Sequence, residues 1–329
     1  VGSGRERPMM RFAVMIEGQE AVTWERWLRI VDATEALGFD SLWRSDHLWS
    51  VIGMPERETL ALWPSLAAVA LRTQRIAFGQ LVSPTTFRHP VELAQNAVAL
   101  DHLSGGRYWL GLGAGWNVPE HSAFGFPLPP VSERMDRLAE AIDVILQLWT
   151  GEPVTYTGRF FQLERAQMRP TPRNGRVPIV IGGGGERRLL RLVAQAADEW
   201  NTTSITVEQY PAKVAALEAH CRAVGRDPSS IAHSWMVGYL VGRDQGELRE
   251  RARWLQRWLR LPETFTPDEV IARQRERGWI VGTPKEVIDQ IAEREALGIS
   301  RIMLQTYDLD DLSPLELIAR EVMPAFQSA

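Results

Sequence analysis

The chain has 329 residues, 45% of them hydrophobic and 24% charged, with a formal net charge of −4 at pH 7. A chain this long buries about three quarters of its unfolded surface and needs no staples, and its single cysteine, Cys221, excludes an internal disulfide and any multi-cysteine metal site. The acidic balance argues against a general nucleic-acid binder, and no apolar run approaches the roughly 18 residues that a membrane span needs.

Residues 1–9 lack an apolar core and read as a remnant or disordered tail ahead of Met10, not as a signal peptide. The expected compartment is the cytoplasm. Residues 11–16 read as a strand. Thr23 can cap a helix whose residues Trp27, Ile30, Val31 and Leu37 recur at helical spacing, and Gly38 ends it. A strand over 39–43, a helix over 60–71 and a strand over 76–82 follow. The next helix, 90–103, carries Pro90 at a tolerated early position. After a strand at 108–112 comes the clearest helix, 132–149, with Met135, Leu138, Ile142, Ile145 and Trp149 on one face. A strand at 177–181 leads through four glycines to a helix at 187–197. Strands at 198–202, 231–241 and 301–305, a helix at 210–224 and a last helix from Pro314 complete the pattern.

Eight strands alternating with helices predict an α/β fold with a parallel sheet, and eight units favour a closed (β/α)8 TIM barrel over an open doubly wound sheet. No composition shift marks a boundary, so residues 10–329 read as one barrel domain. Two segments exceed that plan. Residues 151–176 predict a hairpin excursion, and the charged, Trp- and Arg-rich stretch 244–279 predicts helices over the barrel mouth, a lid-like insertion.

Active sites in this architecture lie at the carboxyl ends of the strands. That rule selects Glu17, then Asp46, His47 and Trp49, then the loop from Gly113 to Asn117 with Glu120 and His121, and then Gly182, Gly183, Gly184 and Gly185. The glycine run sits between an apolar strand and a helix carrying Arg187, Arg188 and Arg191, so its N–H groups could close on an anion. A tight strand-to-helix turn would require the same glycines. A histidine beside a carboxylate, as in Asp46-His47, can move protons near neutrality; a structural histidine bonded to a neighbouring loop is the alternative. His121 with Glu120 could form a second acid–base pair or lie at the surface. Trp49 and Trp116 fall at strand ends, where they could wall a ring-shaped ligand. No HExxH or paired Cys/His spacing exists, so no metal site is expected. Gly111-Leu112-Gly113-Ala114-Gly115 lacks the third glycine of a dinucleotide fingerprint, because Trp116 occupies its place.

Several motifs together resemble the bacterial luciferase-like family, and within it the branch of oxidoreductases that use the deazaflavin coenzyme F-420. They are Leu37-Gly38-Phe39-Asp40-Ser41-Leu42-Trp43, Asp46-His47, Thr86-Phe87-Arg88-His89-Pro90 and Asp101-His102-Leu103-Ser104-Gly105-Gly106-Arg107. They continue with the stretch from Leu110 to Asn117, Glu120-His121, the glycine run and Ala196-Ala197-Asp198-Glu199-Trp200-Asn201. The resemblance implies a tricyclic ring in the barrel mouth, backed by a bulge in the third strand at Gln80, Leu81 and Val82. It implies a non-proline cis peptide at Leu81-Val82. It also implies cofactor contacts from Asp46, Gly113, Ala114, Gly115, Asn117 and Arg187, with the phosphate on Gly182 to Gly185. His47, oriented by Asp46, would take the substrate proton while hydride passes to the deazaflavin. Glu17, Trp49 and Trp116 would line the substrate pocket. Sugar-phosphate dehydrogenases of the family carry a glutamate where this chain has Ala114, so that particular reaction is in doubt. An FMN-dependent monooxygenase uses the same barrel and phosphate site, and a non-catalytic flavin-binding protein is a third reading. The resemblance further implies a homodimer packed through helices near strands two to four, a small-molecule substrate, and neither nucleic acid nor membrane as partner.

Overall fold

The computed structural model describes residues 9–203 and 205–327. The expectation of a tail thus falls, except for Met9, outside the described residues. Eight parallel strands form the barrel: β1 (Arg11–Ile16), β2 (Ser41–Arg44), β3 (Ala77–Gln80), β4 (Tyr108–Gly113), β5 (Ile179–Gly182), β6 (Glu199–Thr202), β7 (Ala232–Val241) and β8 (Arg301–Thr306). Each pairs with the next, and β8 pairs back onto β1 with Arg11 opposite Arg301, which closes the ring. The predicted barrel is therefore the observed one, with strand ends within a few residues of those read from apolar runs.

Strand alternation sorts the core into two layers. Phe12, Val14 and Ile16 of β1 face the outer helices, while Ala13 and Met15 point into the lumen. Trp43, Val180 and Met303 join the latter there. Burial on both faces is what makes these strands read as continuous apolar runs. The helices begin where side chains can satisfy free N–H groups. Thr23 Oγ1 accepts from Arg26 N at 3.3 Å, and Asp244 Oδ1 accepts from Glu247 N at 2.9 Å. Thr266 and Thr283 each form a capping box, with Glu269 and Glu286.

Val154–Thr157 pairs antiparallel with Gln162–Ala166. Helices Gln245–Trp258 and Pro267–Glu276 share an apolar cluster with Leu240 of β7 and Val281, and Arg275 and Glu276 at the end of the second reach the cavity. A short strand, Ile280–Gly282, and a helix, Pro284–Ala296, lie beyond the sequence expectation and complete the seventh unit before β8. No helix among the described residues is long and apolar enough to cross a membrane.

The third strand is interrupted at its carboxyl end. Gly79 stands opposite Trp109, and pairing resumes with Ser83 opposite Leu112, one residue too many on the β3 side. That surplus is a bulge. It contains Leu81 and Val82, and their peptide bond is cis. The Val82 side chain turns toward glycines on two neighbouring strands. A Cβ added at Gly113 would sit 2.5 Å from Val82 Cγ2, and one at Gly182 would sit 3.1 Å from Val82 Cγ1. Glycine at these positions is a matter of space.

Candidate active site

A cavity of about 1180 Å3 opens at the carboxyl ends of the strands. Its walls include Glu17, Ser45, His47, Leu81, Val82, Trp116, Asn117, Glu120, Gly182, Gly183, Asn201, Met236 and Gln305. Arg275, Arg277 and Trp279, at the end of the insertion, and Tyr307 beyond β8 complete it. The volume exceeds the usual range for one small ligand and leaves room for a fused-ring cofactor with a substrate beside it.

Adjacent residues Asp46 and His47 have separate partners. Asp46 is buried and accepts from Ser83 Oγ at 2.6 Å and from Arg88 Nε and Nη2 at 3.0 and 2.8 Å. Ser83 in turn accepts from Gln80 Nε2 at 3.1 Å, and Gln80 Oε1 accepts from the Tyr108 hydroxyl at 2.7 Å. Asp46 and Gln80 thus lie in a closed polar chain behind the bulge and do not line the cavity. The expectation that Asp46 orients His47 is corrected: its carboxylate is committed to Arg88.

Glu120 holds His47 instead. Its Oε2 lies 2.9 Å from His47 Nδ1, and its Oε1 accepts from Leu48 N at 2.5 Å. Burial would lower the His47 pKa, but the Glu120 hydrogen bond and charge, with Glu17 and Asp46, more than offset it and raise the pKa above the ordinary value. His121, the expected partner of Glu120, is buried at the cavity wall and bonds other groups, with Nδ1 2.6 Å from Asn117 O and Nε2 2.7 Å from Thr86 Oγ1. The signal in the sequence misleads. Asn117-Val118-Pro119-Glu120 has capping-box spacing, and Asn117 does cap helix Val118–Phe124. The Glu120 carboxylate nevertheless goes to a residue 73 positions away.

The other expected site residues divide. Glu17 lines the cavity with both oxygens held by amides, Gln305 Nε2 at 2.5 Å and Gln19 Nε2 at 2.8 Å. Trp116 is 62% exposed and meets His47 edge to face at 5.8 Å. Trp49 does not line the cavity; it is half-buried and packs edge to face on Phe124 at 5.8 Å. Val82, Gly115 and Asn117 line the cavity, whereas Gly113 serves as space for Val82, and Ala114 packs against the outer core.

The glycine run turns half toward the cavity. Gly182 and Gly183 line it, and Gly183 O accepts from Trp200 Nε1 at 2.7 Å. Gly184 lies against Ile205 and the Lys213 stem, and Gly185 is exposed. The following helix starts at Leu189, two residues later than expected. Arg187 is therefore on an exposed turn and does not reach the cavity. The sequence reading missed Gln305, Trp279 and Tyr307, which only the closed barrel brings to the mouth, and Arg88, which pairs with Asp46 behind the bulge.

A closed barrel with a bulged third strand and an open, glycine-edged mouth frames the candidate site. Residues 9–301 match the luciferase-like monooxygenase family, and the chain belongs to it. Two relatives are named for the deazaflavin. The chain is 32% identical to the F-420-dependent glucose-6-phosphate dehydrogenase of Microbacterium testaceum, covering 88% of this chain and 90% of that one. It is also 32% identical to the F-420-dependent hydroxymycolic acid dehydrogenase of Mycobacterium tuberculosis, covering 75% and 68%. Among solved structures, an F-420-dependent secondary alcohol dehydrogenase bound to an F-420–acetone adduct superposes with a TM-score of 0.81 at 22% identity, covering 97% of this chain and 100% of that one. A monooxygenase from Streptomyces bottropensis also reaches 0.81, at 21% identity, covering 96% and 100%. At these identities the two structures show the fold.

Proposed function

We propose that this protein is an oxidoreductase that uses coenzyme F-420 and transfers a hydride between it and a small organic substrate at the barrel mouth. The observation that carries the reading is the His47 ring: Nδ1 is held by buried Glu120, while the side chain lines a cavity large enough for cofactor and substrate together. The residues fit the group. Val82 on the bulge, with Gly182 and Gly183 beside it, offers a flat apolar bed at one side of the cavity, and His47 with Trp116 stands at another part of its wall.

F-420, when bound, supplies a two-electron hydride acceptor or donor that needs no oxygen. His47 does the rest of the bond chemistry. An alcohol losing hydride from carbon must also lose its O–H proton, and the reverse step returns that proton to oxygen. A positioned histidine contributes about 10²- to 10⁴-fold to such steps. Trp116, Trp279 and Tyr307 give the cavity wall an aromatic surface for the substrate side. Ala114 offers no carboxylate, so His47 is the proton-handling group of this reading.

The dehydrogenase relatives support the deazaflavin, whereas the family name and the monooxygenase likeness favour FMN with oxygen. Titration of the purified protein with each cofactor separates the two. F-420 binding at micromolar or tighter affinity, with FMN at least tenfold weaker and no oxygen uptake on turnover, is the expected outcome. Tight FMN binding with substrate-dependent oxygen uptake would overturn it.

A further inference from the structure

The Glu120 carboxylate is 1% exposed and grips one loop at two points. One oxygen meets the His47 ring at Nδ1 and the other takes the N–H of Leu48, the next residue along the chain. The ring cannot rotate without breaking the first bond, and the loop cannot shift without breaking the second. Trp116 meets the ring edge to face, at 82° to the imidazole.

An ionised carboxylate only accepts hydrogen bonds. His47 Nδ1 must therefore carry a hydrogen. In the neutral ring the lone pair then sits on Nε2, and in the charged ring Nε2 bears the second hydrogen. Nε2 has no hydrogen-bond partner among the described residues. The charged groups around the ring are Glu120 from the helix after β4, Glu17 from the end of β1, Asp46 on its own loop, and Arg88, which is spent on Asp46. Acids dominate this set, and Glu17 is fixed by two amides.

We propose that Glu120 is the positioning residue of the reaction: it fixes His47 as the Nδ1–H tautomer and supports its charged form, so that the proton enters and leaves only through Nε2. One proton passes from a substrate hydroxyl to Nε2 as the alcohol is oxidised, and the imidazolium charge is matched by the Glu120 carboxylate. Glu120 itself gains no proton. The kinetic part rests on the proposed function; the tautomer and charge of His47 do not, and they are measurable without cofactor.

The test uses ¹⁵N-labelled full-length protein, with the His47 ring signals identified by their loss in His47→Gln. In the parent protein, Nδ1 should stay protonated through the titration, with a midpoint above the ordinary histidine value. Glu120→Gln should lower that midpoint by about one pH unit or more and mix the tautomers. The same variant should cut kcat about 10- to 100-fold, the range typical of lost orienting partners, and move the pH limb of kcat with the His47 midpoint. F-420 affinity should stay within about twofold. Glu120→Asp, which keeps the charge, should recover part of the kcat loss and most of the midpoint. In the His47→Gln background, Glu120→Gln should cost little more, because the two act as a unit.

An unchanged His47 midpoint and tautomer in a folded Glu120→Gln protein overturns the proposal. So does a pair of losses that simply multiply. If His47→Gln leaves turnover intact while the spectra behave as described, the proposed function falls and the control of the ring by Glu120 stands.

Discussion

Two buried charge clusters sit at opposite ends of the same barrel. At the base, Arg301 donates to Glu199 and, at 3.1 Å, to Asp40, and its guanidinium lies over the rings of Trp43 and Trp109 at 5.8 and 5.4 Å. At the mouth, His47 is held by Glu120 with Glu17 and Asp46 close by. Both clusters are desolvated and both raise the pKa of the basic partner. They differ in access. Arg301 and Glu199 at the base are enclosed by side chains, whereas His47 borders a cavity. Buried charge alone therefore does not mark a reaction centre; a buried charge that orients an accessible titratable atom does.

The comparison predicts a separation of effects, and the largest belongs to the mouth. His47→Ala should lower kcat about 10²- to 10⁴-fold, far more than its change in melting temperature or F-420 affinity accounts for, as measured by single-turnover kinetics, calorimetry and titration. A matching loss of stability would make the mouth a structural cluster like the base. Next comes the base. Glu199→Ala leaves Arg301 with Asp40 alone, and breaking such a pair costs about 3–5 kcal/mol. Urea unfolding should register that cost while the folded fraction keeps its kcat. A fall in kcat without a stability loss would erase the distinction.

A third variant probes the bulge. Gly113→Ala drives a methyl group to 2.5 Å from Val82 Cγ2, and such overpacking costs about 1–3 kcal/mol. It should also weaken cofactor binding, because Val82 forms part of the cavity wall. Gly182→Ala, at 3.1 Å, should do less of both. Equal and negligible effects would show that Val82 gives way.

The smallest effect contrasts two histidines. His233 Nδ1 lies 2.6 Å from the Tyr210 hydroxyl, and burial depresses its pKa to about 4. The unfolded residue titrates near 6.5, so acid favours unfolding between about pH 6.5 and 4 through this group. The His47 pKa is raised. Its contribution is complete below about pH 6.5 and is lost as the pH rises through the folded value. Melting temperatures across pH 4–8 should therefore fall less on the acid side in His233→Gln and less on the alkaline side in His47→Gln. Identical profiles in both variants would contradict these assignments.

The barrel was legible because β-strands buried on both faces leave short apolar runs, and because helices such as Val131–Leu148 carry one apolar face. The helix Pro284–Ala296 was harder to read, since its mixed, charged face hides Val287 and Ile291. Of the site, His47 and the mouth-facing glycines were visible as residues at strand ends. Their partners were not. Asp46 sits beside His47 in sequence, but its carboxylate points to the other side of the loop, to Arg88. Glu120 reads locally as a helix-capping acid, and its partnership with His47 exists only once β2 and β4 are set one strand apart in the ring. Adjacency along the chain is a weak guide to which side chains meet.

The most direct test is a crystal structure of the protein with F-420 and an unreactive alcohol or ketone analogue. The account predicts the fused rings against Val82 and Gly183, and the analogue oxygen within hydrogen-bond distance of His47 Nε2. Rings seated outside the mouth, or an analogue oxygen turned away from His47, would contradict it.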